Sequence, residues 1–238
     1  MPLKEGGWEE HLEELRRRII AVLAVFSAAT LVAFLFSDEL AAFLMNPVSD
    51  LGVKLYTFAP AEKFMAYMRL AVWTGVIVSL PFSLLQASAF VWPALIGNER
   101  VCAVSALFVV PLFFMAGASL AYRFLSPAVL KFFLSFGPSD SVGQLWGLTE
   151  YLSMLWALMV ASGLLLQMPL ALFLAFTLGF VTPKQVSRFR PHVIFVLFLL
   201  AGICTPPDVI SQIALGVPLY LLFELTLLAG RLFAPNRQ

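Results

Sequence analysis

The chain has 238 residues, 61% of them hydrophobic and only 12% charged, and its mean hydropathy is +0.93. Soluble domains carry about 25% charged residues, and disorder needs low hydrophobicity with high net charge, whereas the net charge here is +1. Those two classes are excluded and no strongly basic face invites nucleic acid, which leaves an all-α, polytopic membrane protein with the lipid bilayer as its surroundings.

A hydrocarbon core about 30 Å thick needs roughly 20 helical residues. The first candidate, residues 19–36, follows Arg16-Arg17-Arg18 and stops at Ser37-Asp38-Glu39. It exceeds the apolar region of a usual signal peptide and follows five glutamates, so it reads as a retained helix. A second span covers about 64–90, interrupted by Pro81; the third runs over 101–121 and the fourth over about 152–180. The fifth and sixth, 192–204 and 209–229, are separated by Thr205-Pro206-Pro207-Asp208, because proline lacks the amide donor and crowds the preceding turn. Six transmembrane helices result, the fifth and sixth short. The fifth covers roughly 21 Å, so it must thin the bilayer, snorkel at its ends or pack inside protein.

Orientation follows from Lys and Arg in the flanks. Lys4, Arg16, Arg17, Arg18, Arg100, Lys184, Arg188, Arg190, Arg231 and Arg237 fall on one side; Lys54, Lys63, Arg69, Arg123 and Lys131 fall on the other. The richer side takes the cytoplasm and both termini. The chain is then one domain over 1–238, with a cytoplasmic N-terminal segment 1–18, cytoplasmic loops near 91–100 and 181–190, and external loops near 37–63 and 122–150. Asn46-Pro47 lies in the first external loop, and the second holds an apolar stretch, 129–136, expected to form a short surface helix. No internal repeat is visible, which disfavours repeat-built transporters.

The polar residues on this apolar background need explaining. Leu12, Leu15 and Ile19 form a helical stripe, and Glu14 and Arg18 stand at i,i+4 in the favourable order for an ion pair. Glu99, in Gly97-Asn98-Glu99-Arg100-Val101, either caps the third helix or is held at the interface to receive a cation. Gln167 lies deep in an apolar run beside Pro169 and should face another helix, or satisfy the carbonyl that Pro169 frees. Gln212 is similar. Glu224 is either a functional group within a span or a snorkelling side chain compensated by Arg231. His11 and His192 lack partners at metal-ligand spacing, Cys102 and Cys204 cannot build a disulfide framework, and no Gly-rich phosphate loop is present.

These residues together make the chain resemble the TatC family, the receptor subunits of twin-arginine protein translocases. The resemblance is carried by His11-Leu12-x-Glu14-Leu15-Arg16-x-Arg18, Pro60-x-Glu62-x-Phe64, Gln86 with Phe90-x-x-Pro93-Ala94-Leu95, and Asn98-Glu99-Arg100. It continues through Ala121-Tyr122, Tyr151-Leu152-Ser153, Phe189-Arg190-Pro191, Thr205-Pro206-Pro207-Asp208-Val209-x-Ser211-Gln212, Pro218 and Phe223-Glu224. The likeness implies a receptor in the cytoplasmic (inner) membrane that performs no catalysis and holds no cofactor. Such a protein binds paired-arginine signal peptides of folded cargo, recruits single-span partners of the TatA/TatB type, assembles as a homo-oligomer within the receptor complex, and works with the proton-motive force. Carried over, Glu14 and Glu99 accept the signal's guanidinium groups, Arg16 and Arg18 orient the glutamates, and Phe90 belongs to the groove for the signal's apolar segment. Gln167 stands where the family often has glutamate, so it can act as a polar latch toward a partner but not as a titrating group; Gln212 and Glu224 join it as intramembrane polar residues. Pro47, Gln86, Pro93, Tyr122, Tyr151, Pro206, Pro207 and Asp208 are structural motif positions.

The rival readings are a small secondary transporter or channel, an intramembrane enzyme, and an insertase. They require, respectively, ionisable groups converging at mid-depth, a nucleophile with its base or a metal set, and a buried basic residue in a hydrophilic groove, for which Arg69 lies too near a helix end.

Overall fold

A computed structural model describes residues 6–91, 98–135, 145–204 and 209–233. Ten α-helices appear among them: α1 (Gly6–Leu35), α2 (Ser37–Ser49), α3 (Glu62–Val91), α4 (Asn98–Leu120), α5 (Ser126–Ser135), α6 (Leu148–Leu165), α7 (Gln167–Thr177), α8 (Pro183–Arg188), α9 (Arg190–Cys204) and α10 (Val209–Phe233). A π-helical turn, Ala121–Leu125, joins α4 to α5, and two short strands, β1 (Leu55–Tyr56) and β2 (Trp146–Gly147), pair in parallel. Five segments are long and apolar enough to cross a membrane: Glu10–Leu35, Glu62–Phe90, Val104–Ser135, Leu148–Thr177 and Leu215–Leu232; the shorter apolar helix Arg190–Ile203 is the sixth. The protein is all-α and polytopic.

Several boundaries differ from the sequence reading, each for a physical reason. Residues 37–49, read as loop, are helical, because Asp38 and Glu39 occupy the first turn of α2, where the helix dipole favours anions. Pro81 does not interrupt the second span: α3 is continuous for 30 residues, with the hydroxyls of Ser79 and Ser83 donating back to the carbonyls of Val76 and Ser79 around the proline. Pro169 does break the fourth span. It deprives the Leu165 carbonyl of a donor and crowds it, so α6 ends there and α7 restarts at Gln167. The stretch expected as a separate surface helix is α5, continuous with α4 through the π turn, and Val129 and Leu130 on it are buried. The fifth span is short at 15 residues, but the sixth is not: α10 has 25, since the apolar pattern carries past Gly230 to Phe233. In the loop before α9, Thr182 and Gln185 form a reciprocal capping box that starts α8, with Pro183 in its first turn. Pro93, Pro206, Pro207 and Asp208 lie outside the described residues.

Two compact units divide the chain: Met1–Phe43 with Phe64–Pro111, and Leu44–Lys63 with Leu112–Gln238. In the first, α1 and α3 approach closely because the contact residues are small. A Cβ at Gly75 would fall 2.1 Å from Thr30 Oγ1, Ala33, Ala66 and Ala71 are buried, and Phe34 meets Phe64 edge-on. Small residues at helix contacts are what packing in lipid favours, since the apolar environment supplies no hydrophobic drive between helices. In the second unit, α10 forms the spine of a core in which Leu215, Leu219, Phe223 and Leu227 pack with Phe176 of α7 and Leu197 and Ala201 of α9. Large apolar side chains point outward all along the spans, among them Leu31, Phe108, Phe195 and Ile203, as lipid-facing surfaces require.

Candidate functional site: a carboxylate on the first helix

At 30 residues, α1 is about 45 Å long, so the charged N-terminal segment and the first span are one rigid rod. Glu14 and Arg18 lie one turn apart on it. The Arg18 guanidinium donates through Nε (3.0 Å) and Nη2 (2.5 Å) to Glu14 Oε1, and through Nη1 to Gln86 Oε1 on α3 at 3.0 Å. One turn beyond Gln86, Phe90 stacks on the imidazole of His11, with centroids 4.3 Å apart and planes 15° from parallel. The α1–α3 contact is thus fastened by two adjacent rungs, one ionic and one aromatic. His11 Nδ1 stands 3.7 Å from Glu14 Oε2, beyond hydrogen-bond distance, so one carboxylate oxygen is engaged by Arg18 and the other is available. A cleft of about 410 Å³, lined by Glu10, Glu13, Glu14, Arg16, Arg17 and Ile20, opens beside it.

Of the two arginines expected to orient the glutamates, Arg18 holds Glu14, whereas Arg16 is exposed and lines the cleft. Phe90 has one face covered by His11. Glu99 is the second residue of α4; its side chain lies outside those described. Gln86, read as a structural motif residue, belongs to the site itself. Sequence spacing gave no sign of this, since Arg18 and Gln86 are 68 positions apart.

The other polar positions fall in the second unit. Glu224 is held by Arg190 Nη2 (2.8 Å) and by the Tyr220 hydroxyl (3.1 Å), not by Arg231 as the spacing suggested. Two helical turns separate Glu224 from Arg231 by about 10.5 Å, too far for an ion pair, while Arg190 opens α9 alongside. Gln212 Nε2 donates to the Phe198 carbonyl at 2.9 Å and so ties α10 to α9. Gln167, half-buried, is the first residue of α7. An apolar groove of about 320 Å³ lies beyond it, lined by Met168, Pro169, Leu172, Val193, Leu197 and Leu219.

The remaining motif residues brace the end of this unit that carries β1 and β2. Tyr151, fully buried, donates to the Leu44 carbonyl at 2.6 Å, Tyr122 hydrogen-bonds the Asn46 side chain, and Pro47 lies inside α2. Glu62 accepts from the backbone amides of Phe58 (2.5 Å), Ala59 (3.2 Å) and Thr149 (3.3 Å). Among the described residues, no group of three or more His, Cys, Asp or Glu side chains converges as metal ligands would.

A family model described as Sec-independent protein translocase protein (TatC) matches residues 10–218. The Sec-independent protein translocase protein TatC of Halothiobacillus neapolitanus is 35% identical over 235 residues, 96% of this chain and 63% of that protein, so the chain spans under two thirds of this relative's length. The Sec-independent protein translocase protein TatCy of Bacillus subtilis is 32% identical, with 97% of this chain and 91% of that protein covered. A crystal structure of a twin-arginine translocase receptor TatC matches with a TM-score of 0.73 at 32% identity, covering 93% of this chain and 98% of that one. With the family model matching residues 10–218 and the Bacillus subtilis relative covered over 91% of its length at 32% identity, the chain belongs to the TatC family of Sec-independent protein translocase proteins.

Proposed function

We propose that this chain is the receptor subunit of a twin-arginine translocase, binding paired-arginine signal peptides through Glu14 and Glu99 at the cytoplasmic face of the inner membrane, with both termini inside. The observation that carries the reading is the half-occupied carboxylate of Glu14. Arg18, itself held by Gln86, fixes its position through Oε1, while Oε2 faces no hydrogen-bond donor among the described residues. A planar guanidinium forms charge-assisted, bidentate bonds with carboxylates, and these strengthen where water is partly excluded. An ammonium is a compact point charge and cannot reproduce that fork. Glu99, at the first turn of α4 in the same unit, is the second acceptor in this reading. The crystal structure of a protein called a twin-arginine translocase receptor, similar over nearly the whole chain, supports the same role. The chain then presents cargo to single-span partners of the TatA/TatB type within an oligomeric receptor complex, and the proton-motive force drives export without catalysis by this subunit.

The test is equilibrium binding of synthetic signal peptides bearing Arg-Arg or Lys-Lys to the full chain in lipid nanodiscs, with Glu14→Gln and Glu99→Gln beside the wild type. The diarginine peptide should bind the wild type most tightly and both variants more weakly. Equal binding in every combination rejects the site.

A further inference from the structure

Resting on the reading of Glu14 as an arginine acceptor, we propose that His11 completes that subsite: the open face of its imidazole stacks the incoming guanidinium. Phe90 covers one face of His11 at 4.3 Å, yet the side chain remains 51% exposed, so the uncovered surface is the opposite face and the edge. His11 Nδ1 lies 3.7 Å from Glu14 Oε2. A guanidinium over the open face therefore lies beside the oxygen that Arg18 leaves available, within reach of its N–H donors. Guanidinium stacks on aromatic rings and still projects its donors in plane, a combination an ammonium lacks. Phe90 acts from behind, holding the ring flat against α3.

The experiment titrates Arg-Arg and Lys-Lys signal peptides against the full chain in nanodiscs, using wild type, His11→Phe, His11→Ala and Glu14→Gln. His11→Ala should bind the diarginine peptide roughly two- to fivefold more weakly, the range expected for one exposed stacking contact, while His11→Phe, which keeps an aromatic face, should bind as wild type does. A His11→Ala variant as tight as wild type, or a His11→Phe variant as weak as His11→Ala, overturns the proposal. A wild type that fails to prefer Arg-Arg over Lys-Lys, or a Glu14→Gln variant that binds as wild type does, instead overturns the receptor reading beneath it.

Discussion

Tyr151 offers a direct measure of how the second unit is braced. Its ring is 2% exposed and its hydroxyl donates to the Leu44 carbonyl at 2.6 Å. Leu44 lies inside α2, so its carbonyl also has the helical amide one turn ahead. Tyr151→Phe therefore removes a second donor rather than orphaning the acceptor. That places the loss at the low end for a buried hydrogen bond, about 1 kcal/mol, within the range measured between membrane helices, about 0.6 on average and about 1.7 at most. Tyr151→Ala removes the ring as well and leaves a cavity, for which aromatic truncations cost about 3–5 kcal/mol. Thermal unfolding in a single detergent at a fixed scan rate reads the difference. For a chain of this size each kcal/mol moves Tm by roughly 2–4 °C, so Tyr151→Phe should fall by about 2–4 °C and Tyr151→Ala by at least three times as much. A Tyr151→Phe loss as large as that of Tyr151→Ala refutes the reasoning, because it would mean that the hydroxyl and not the packed ring carries the site.

Gly117→Ala should destabilise even though alanine favours helix by about 0.5–1 kcal/mol. Its Cβ would lie 2.6 Å from the Ser162 carbonyl oxygen and 2.7 Å from Gly163 Cα, backbone that yields only if α4 and α6 separate, at about 1–3 kcal/mol. Gly202→Ala, whose nearest neighbour is the end of the Gln212 side chain at 3.0 Å, should melt within a few degrees of wild type; equal losses in the two variants would contradict the packing argument. Arg190→Gln should cost about 1–2 kcal/mol, between the values for exposed and buried pairs, since the partners are 41% and 29% exposed. Adding Glu224→Gln should restore part of the loss, and strictly additive effects in a melting double-mutant cycle would deny the coupling. Gln167→Leu should weaken crosslinking to single-span partner subunits severalfold while signal-peptide binding survives, as expected for one interhelical hydrogen bond of about 0.6–1.7 kcal/mol; unchanged crosslinking rejects the latch.

The spans were readable in the sequence because an apolar run of about 20 residues admits few other structures. Breaks within them were not. From sequence, Pro81 interrupts the second span and the fourth runs on past Pro169, and the structure reverses both: α3 runs through the first, and the helix of the fourth span is broken ahead of the second, between Leu165 and Gln167. What differs is the surroundings, since serine hydroxyls at positions 79 and 83 bond back to the backbone around Pro81. The same division holds for the site. Glu14–Arg18 was visible because i,i+4 spacing guarantees proximity on a helix. Arg18–Gln86 and Arg190–Glu224 bridge 68 and 34 positions, and only the packing of separate helices brings them together. The capping box at Thr182 and Gln185 was open to view but lay in a stretch read only for its charge.

Occupancy of the carboxylates separates structural acids from the acid proposed to bind the signal peptide more sharply than depth does. Both oxygens of Glu62 are taken by backbone amides, and both oxygens of Glu224 are taken by Tyr220 and Arg190. Each of these anions is satisfied inside its own unit, and a ligand reaching for either would have to displace bonds already made, at about the strength of those it could offer. Glu14 differs: both bonds from Arg18 converge on Oε1, leaving Oε2 held in place and open to solvent. A ligand arginine there displaces water but breaks no bond within the protein, and because Arg18, held by Gln86, has already fixed the carboxylate, little further ordering is lost on binding. The arginine that neutralises Glu14 is thus also the group that prepares it, which is why Arg18→Lys should impair signal-peptide binding even though charge is conserved: an ammonium cannot hold Glu14 and Gln86 in one planar fork.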